Sequence, residues 1–326
     1  MATQSDMSKR ISFRKLYSSV ISGSGVAALQ RWQTRRRVAI LTYHDIDAQA
    51  FTQHMQFLTH AYRVVSLAQA LAALRGKSTL PPHLLAITFD DGFGTFNREV
   101  YPVLQRFQAP ATVFLTTGYI GSSDVLWFNW IHLAIKTGAD ITDILPPSLR
   151  ELDKSRLRRA LMPYLKAATD DERMRLVEQI RKRTDASPEQ IARHHLLTWD
   201  QAREMQASGL VSFGGHTRTH PILARASLEK ARDEIFGCDS DLERELGPAA
   251  RHFAYPNGEP ADFNEPIKDL VRQAGFACAV SAARGTCAPG DDLYALRRVA
   301  VDGSFSVAEV ATKLSGLWIH LGQRGV

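Results

Sequence analysis

Cysteine is scarce: Cys238, Cys278 and Cys287 are the whole complement among 326 residues, an odd number with no CxxC pair. A disulfide framework is thereby excluded as the organising principle, and the three read as unpaired thiols outside any site. No run of 18 apolar residues occurs, so no segment has the length and hydrophobicity to cross a membrane as a helix. Only 21 glycines and 14 prolines are present, against 44% hydrophobic and 23% charged residues. That balance excludes collagen, low-complexity sequence and wholesale disorder. What remains is an ordinary globular composition, long enough for one barrel-sized domain or two medium ones.

Acid is missing from one stretch. Between Lys9 and Arg37 there are eight Lys or Arg and no Asp or Glu, in a chain whose formal charge is only +6. The apolar residues of 20–29 are interrupted by Ser22, Gly23, Ser24 and Gly25, so a cleaved secretory signal is not expected. Arg14, Lys15, Arg31, Arg35, Arg36 and Arg37 alternate with Phe13, Leu16, Tyr17, Val20, Leu29 and Trp32. Residues 11–37 therefore read either as a leader lying on an anionic membrane face or as a solvated tail. Nucleic acid is not an expected partner, because the basic residues sit in one leader without a binding motif. The expected location is cytoplasmic and peripheral at the inner membrane surface.

From residue 38 onward short apolar runs alternate with amphipathic segments, the pattern of repeated strand and helix units. Strands are expected at 38–43, 84–89, 111–115, 210–213, 252–255, 277–281 and 296–301. Helices are expected at 48–60, 67–74, 95–107, 200–207, 227–246, 264–274 and 307–317. The implied fold is α/β, a distorted (β/α) barrel of about seven strands, whose chemistry collects at the carboxyl ends of the strands. Residues 121–195 break the rhythm with no convincing strand and with charge at helical spacing, and are read as an inserted helical subdomain. The expected organisation is a leader at 1–37, a barrel from 38–120 and 196–326, and the insertion between them. Charged positions of the insertion such as Arg156, Arg173, Arg181 and Arg183 are expected on solvated helix faces.

Three strand ends carry chemistry. The apolar run 84–89 delivers Asp90, Asp91 and Gly92; alone, this is also a common turn. After the run 210–213 come Gly214, Gly215, His216 and, four residues on, His220, a spacing that a helix or a tight loop could bring to one ion; the flanking glycines and Pro221 favour a loop. The third is Tyr255-Pro256-Asn257-Gly258, by itself a plausible turn. Two adjacent carboxylates beside two imidazoles suggest one acid bound to a divalent ion and one left free as a base.

These residues resemble the NodB-like polysaccharide deacetylases, carbohydrate esterase family 4: TFDDG at 88–92, HTxxH at 216–220 and aromatic-Pro-x-Gly at 255–258. The resemblance spans roughly 38–301 apart from the insertion. It implies a metal-dependent hydrolase that removes N-acetyl groups from amino sugars of a polysaccharide or lipid-linked glycan and releases acetate. It also implies Asp90 as general base, Asp91, His216 and His220 as metal ligands, and the backbone N–H of Asn257 as an oxyanion donor. Zinc is the expected ion, with cobalt, nickel, manganese and iron compatible with the same donors. Tyr255, Pro256 and Arg298 are expected near substrate.

The chain departs from the family pattern twice. Ala254 stands where the family carries an arginine that positions the catalytic Asp; Arg298 is the candidate substitute, with Arg297 and Arg251 as competitors. The C-terminal Leu-x-His motif that supplies the acid is absent, since His320 lies in a helix-like stretch. The run 39–43 instead delivers His44, the arrangement of the biofilm poly-N-acetylglucosamine deacetylases, so His44 is the expected general acid and Asp45 a candidate to orient its ring. Trp127, Phe128, Trp130 and Trp199 are candidate sugar-stacking surfaces. A non-haem iron oxygenase also uses two histidines and a carboxylate, and a catalytically silent glycan-binding protein would retain the same motifs. The free Asp90 counts against the first, and the retained Asp90–Asp91 pair against the second.

Overall fold

The computed structural model describes residues 15–76, 79–248 and 251–317. Its strands are β1 Ala39–Tyr43, β2 Arg63–Val64, β3 Leu84–Phe89, β4 Ala111–Leu115, β5 Val211–Gly215, β6 Phe253–Ala254, β7 Ala279–Arg284 and β8 Leu296–Ala300. All pairings between them are parallel. The order runs β1-β8-β7-β6-β5-β4-β3, and pairing of β1 with β3 closes a seven-stranded barrel. The two-residue β2 adds only to Leu84 and Leu85 of β3. It was not expected from the sequence because two residues carry no periodicity.

β1, β3 and β4 are buried along their whole length, as strands covered on both faces must be. Alternation sorts their side chains into two layers. Leu41, Tyr43, Ile87, Phe89 and Val113 pack outward beneath the helices, with Phe51, Met55 and Leu104 among them. Ile40, Ala86, Phe114, Ala254, Val280 and Leu296 form the other layer, joined by Leu67, Ala70, Leu71 and Leu74 of the helix Leu67–Arg75. Carried forward by two residues, that inward parity places Thr42, Thr88, Asp90 and Arg298 above an apolar floor, at the carboxyl end of the barrel.

The helix expected over 95–107 begins with a π turn, Phe96–Val100, before the α-helix Tyr101–Phe107. Pro102 has no N–H to continue the ladder, and the Tyr101 N–H bonds five residues back to Phe96. The helix expected to reach 317 ends at Leu314, followed by Gly316 in the left-handed region. His320 lies outside the described residues.

Between β4 and β5 the chain makes the helices Trp127–Thr137, Lys154–Ala167 and Asp170–Arg183 among shorter turns. They share their own apolar cluster, with Trp127, Ile131, Leu145, Leu161, Val177 and Ile180 at its centre. One expectation fails here. Arg173 is 0% exposed, its guanidinium lying 5.3 Å from the Trp127 ring centroid and paired with Asp170. Helical spacing put it on a charged face, but the packing of Trp127 against the helix Asp170–Arg183 turned that face inward.

The leader includes helix at 15–23 and Val26–Gln33, which meet at Gly25 in a left-handed conformation. Its end is seated on the amino-terminal rim of the barrel. Arg37 bonds to Oγ1 and the carbonyl of Thr286, and the His83 N–H donates to the carbonyl of Arg35.

Candidate active site

Asp90 and Asp91 leave β3 in opposite roles because the backbone turns between them. Asp91 adopts φ 69°, and Gly92 follows at φ 84° with a virtual Cβ 2.6 Å from Leu115 Cδ2. The left-handed pair directs Asp90 back into the barrel and Asp91 toward β5. Among the described residues six non-glycine positions have positive φ, and four of them, Asp91, Thr217, His220 and Asn257, are in this one region. Such strain persists only where surrounding structure enforces it.

Asp91, His216 and His220 offer ligand atoms that all lie within 4.8 Å of one another, and all three residues are buried. His216 Nε2 and His220 Nε2 stand 3.4 and 3.3 Å from Asp91 Oδ1. His216 Nδ1 bonds to the carbonyl of Ala254 at 2.7 Å, which leaves its Nε2 facing the cluster. Asp91 Oδ1 is buried without a hydrogen-bond partner. Two imidazoles and a carboxylate turned toward a common point are the donor set a divalent ion satisfies. Burial pushes the Asp91 carboxyl up, but His216 and His220 more than offset this and hold it far below the usual range. Burial likewise depresses both imidazoles; His216, facing both acids, ends above its ordinary value and His220 below.

Asp90 meets a different partner. Arg298, 2% exposed inside the barrel, grips both carboxylate oxygens, Nη1–Oδ1 at 2.7 Å and Nη2–Oδ2 at 2.8 Å. The guanidinium is aimed by the Ser281 carbonyl at 2.8 Å and Thr42 Oγ1 at 3.0 Å. Burial would raise the Asp90 carboxyl, yet Arg298, followed by His216 and His44, holds it below its ordinary value. Arg298 is thus the one of the three candidate arginines that meets Asp90. It acts on Asp90 rather than lining the open mouth.

The histidine loop is braced from outside. Glu234 Oε2 accepts from the N–H groups of Arg218 and Thr219, each at 2.8 Å, while Oε1 takes the Thr219 hydroxyl at 2.6 Å. The Trp127 indole donates to the His220 carbonyl at 3.1 Å, and the Phe128 ring sits edge-on to His220 at 5.2 Å. The other side is stapled by the end of the insertion, where Gly94 N–H donates to His195 and Leu197 N–H donates to Gly92.

These groups open into a cavity of about 660 Å³ whose lining includes His44, Asp45, Asp91, Phe128, His220 and Asn257. His44 is exposed and follows β1, whose Tyr43 carbonyl accepts from the Asp90 N–H, so it stands at the rim beside Asp90. Asp45 makes no hydrogen bond to His44 among the described residues. The other expected contacts divide. Tyr255 is 1% exposed, stacked on Phe263 at 4.0 Å with its hydroxyl on the Tyr294 carbonyl, so its ring is structural; Pro256 is buried beside it. Trp130 is buried in the insertion core, bonded to Asp124, and Trp199 packs on the barrel core; neither lines the cavity.

The family model for polysaccharide deacetylases matches residues 77–279, more than half of the chain. The chain belongs to the polysaccharide deacetylase family. Within it, poly-β-1,6-N-acetyl-D-glucosamine N-deacetylase of Escherichia coli (strain K12) is 37% identical over 97 residues, 26% of this chain and 14% of that protein. Two solved structures share the fold. IcaB from Ammonifex degensii has a TM-score of 0.59 at 20% identity, covering 86% of this chain and 97% of its own. The Streptococcus pyogenes deacetylase PplD, solved with acetate, has a TM-score of 0.58 at 18% identity, covering 86% and 99%. In this member of the family the residues missed in the sequence include Glu234, from the helix Leu228–Leu246, and others from the insertion. Asn129 is the clearest: it lines the cavity with a buried, unpartnered Nδ2, but an asparagine inside a helix bears no sequence signal.

Proposed function

We propose that this protein is a divalent-metal-dependent N-deacetylase acting on N-acetylated amino sugars of a polysaccharide or glycan intermediate. The observation that carries the reading is the division of the adjacent carboxylates, Asp91 facing two imidazoles and Asp90 clamped by Arg298. Asp91, His216 and His220 would hold the ion; zinc is the proposed occupant. When bound, the ion supplies Lewis acidity that polarises the acetyl carbonyl and acidifies water.

The chain's own groups do the rest. Asp90, kept ionised by Arg298, takes a proton from the attacking water as the new C–O bond forms. The backbone N–H of Asn257, which finds no partner among the described residues, donates to the oxyanion. His44 at the rim gives a proton to the sugar nitrogen as the C–N bond breaks, so that a neutral amine departs and acetate remains. The Arg298 clamp on Asp90 supports an active enzyme over the silent-binder alternative, as it would serve the role the third-motif arginine would have had.

The test is acetate release across N-acetylated oligosaccharides with defined metals added to chelated protein. Asp90→Asn is expected to abolish release while keeping the bound ion. His44→Gln should lower amide turnover by about 10²–10⁴-fold yet spare an aryl acetate, whose leaving group needs no proton. Acetate release undiminished in Asp90→Asn would reject the assignment.

We also propose peripheral contact of the leader with an anionic lipid surface on the cytoplasmic side. It is supported by the exposure of Leu16, Val20, Leu29 (55%) and Trp32 (57%) in a segment without acids.

A further inference from the structure

The cavity walls carry a demand that the deacetylation chemistry does not use. Arg98, Lys136, Lys166 and Arg193 line the cavity, all four exposed and none in an ion pair among the described residues. They come from four separate elements: the π turn after β3, the helices Trp127–Thr137 and Lys154–Ala167, and the end of the short helix Pro188–Ala192. Against them the lining sets only Asp45 and the ligand Asp91. Lys136, Arg193 and His132 all act on one imidazole, His194, which burial first and then these three neighbours, against Asp45, hold below its ordinary value. Lys166 feels Asp262, whose Oδ2 accepts from the Glu259 N–H.

A second, independent observation points the same way. Asn129, 2% exposed, and Asn257, half-buried, both line this cavity, and the Nδ2 of each is buried with no hydrogen-bond partner among the described residues. An amide N–H left unmet beside a cavity costs free energy until an acceptor arrives. Cations and orphan donors together ask for a ligand rich in acceptor oxygens and negative charge. A neutral acetylated glycan does not supply that charge, and its deacetylated product, bearing ammonium groups, would be repelled by these walls.

We propose that the substrate is a phosphorylated N-acetylated amino sugar, its phosphate or diphosphate ester held by Arg98, Lys136, Lys166 and Arg193 with the Asn129 amide. A tetrahedral dianionic group meets several converging cations better than a single carboxylate does. The inference rests on the deacetylase reading for the acetyl end of the ligand, but its anion end stands on the cavity alone.

Binding separates the two. With Zn-loaded protein, N-acetylglucosamine 1-phosphate is expected to bind at least about tenfold more tightly than N-acetylglucosamine by calorimetry, with the preference shrinking as salt rises. Lys166→Gln/Arg193→Gln should erase most of that preference while thermal unfolding stays cooperative. Where acetate release is measurable, the same pair should lower the kcat/KM ratio of phosphorylated to neutral sugar, through KM. Diphosphate-linked soluble sugar and the same sugar on a polyprenyl diphosphate in neutral vesicles distinguish a free from a lipid source. Equal binding of phosphorylated and neutral sugar, an unchanged preference in the double variant, or a stronger preference for a uronate-bearing oligosaccharide would each overturn the proposal. Phosphate-selective binding without acetate release from any substrate would sustain it and reject the deacetylase reading instead.

Discussion

Arg298 shows how one side chain can replace a motif. Its guanidinium meets both oxygens of Asp90 within a barrel whose floor includes Phe114, 6.0 Å from the guanidinium carbon. Since the carboxyl is held below its ordinary value by that charge, removing the charge must raise it. Arg298→Met is therefore expected to move the acid limb of the kcat/KM profile to higher pH, because more of Asp90 is protonated at any given pH. Arg298→Lys should move it part of the way back. A profile whose limb stays in place while only the amplitude drops would reduce Arg298 to scaffold. The three cysteines offer the contrast: all are buried and free, and burial pushes Cys238 and Cys278 up to about 12. Thiols held protonated in apolar surroundings are neither nucleophiles nor ligands.

Between strands and helices, the decisive contact is the seat of Trp127–Thr137 on the histidine loop. Trp127 is the first residue of that helix, and its indole holds the carbonyl of His220, a residue in the left-handed region. Trp127→Phe keeps the ring that Arg173 covers but loses the hydrogen bond. Outer contacts of this kind typically govern affinity, so the variant should bind zinc about tenfold more weakly in chelator competition. Its unfolding midpoint in the presence of chelator should change little. An unaltered zinc affinity would show that Glu234 alone sets the loop.

Over the folded chain as a unit, the Asp91 cluster and residues 15–37 lie at opposite ends of the barrel. An unpartnered Asp91 Oδ1 facing two imidazoles is a native-state feature that the unfolded chain lacks, so an ion that binds it stabilises the fold by mass action. At a hundredfold excess over its Kd, zinc should raise the unfolding free energy by about 2.7 kcal/mol, and Asp91→Asn should abolish that gain. The leader is anchored at the amino-terminal rim, across the barrel from the cavity. Leu29→Ser/Trp32→Ser is expected to reduce partition onto anionic vesicles without altering soluble-substrate turnover. Equal partition of wild type and variant would remove the membrane contact.

The strands of the barrel and the three motif-bearing strand ends were legible in the sequence, because a strand buried on both faces must be apolar throughout and must surrender its polar residues where it stops. Local rules also placed Asp90, Asp91, His216, His220 and His44 at those ends. They could not tell that Tyr255 packs on Phe263 in the outer layer beneath the helices, that Arg173 is buried, or which of Arg251, Arg297 and Arg298 faces Asp90. The parity of β8 against β1 and β3 decides the last, and parity between strands some 200 residues apart exists only once the barrel closes. The basic walls of the cavity are of the same kind: unremarkable surface charges in the linear chain, they become a site because four elements distant in sequence converge on one opening.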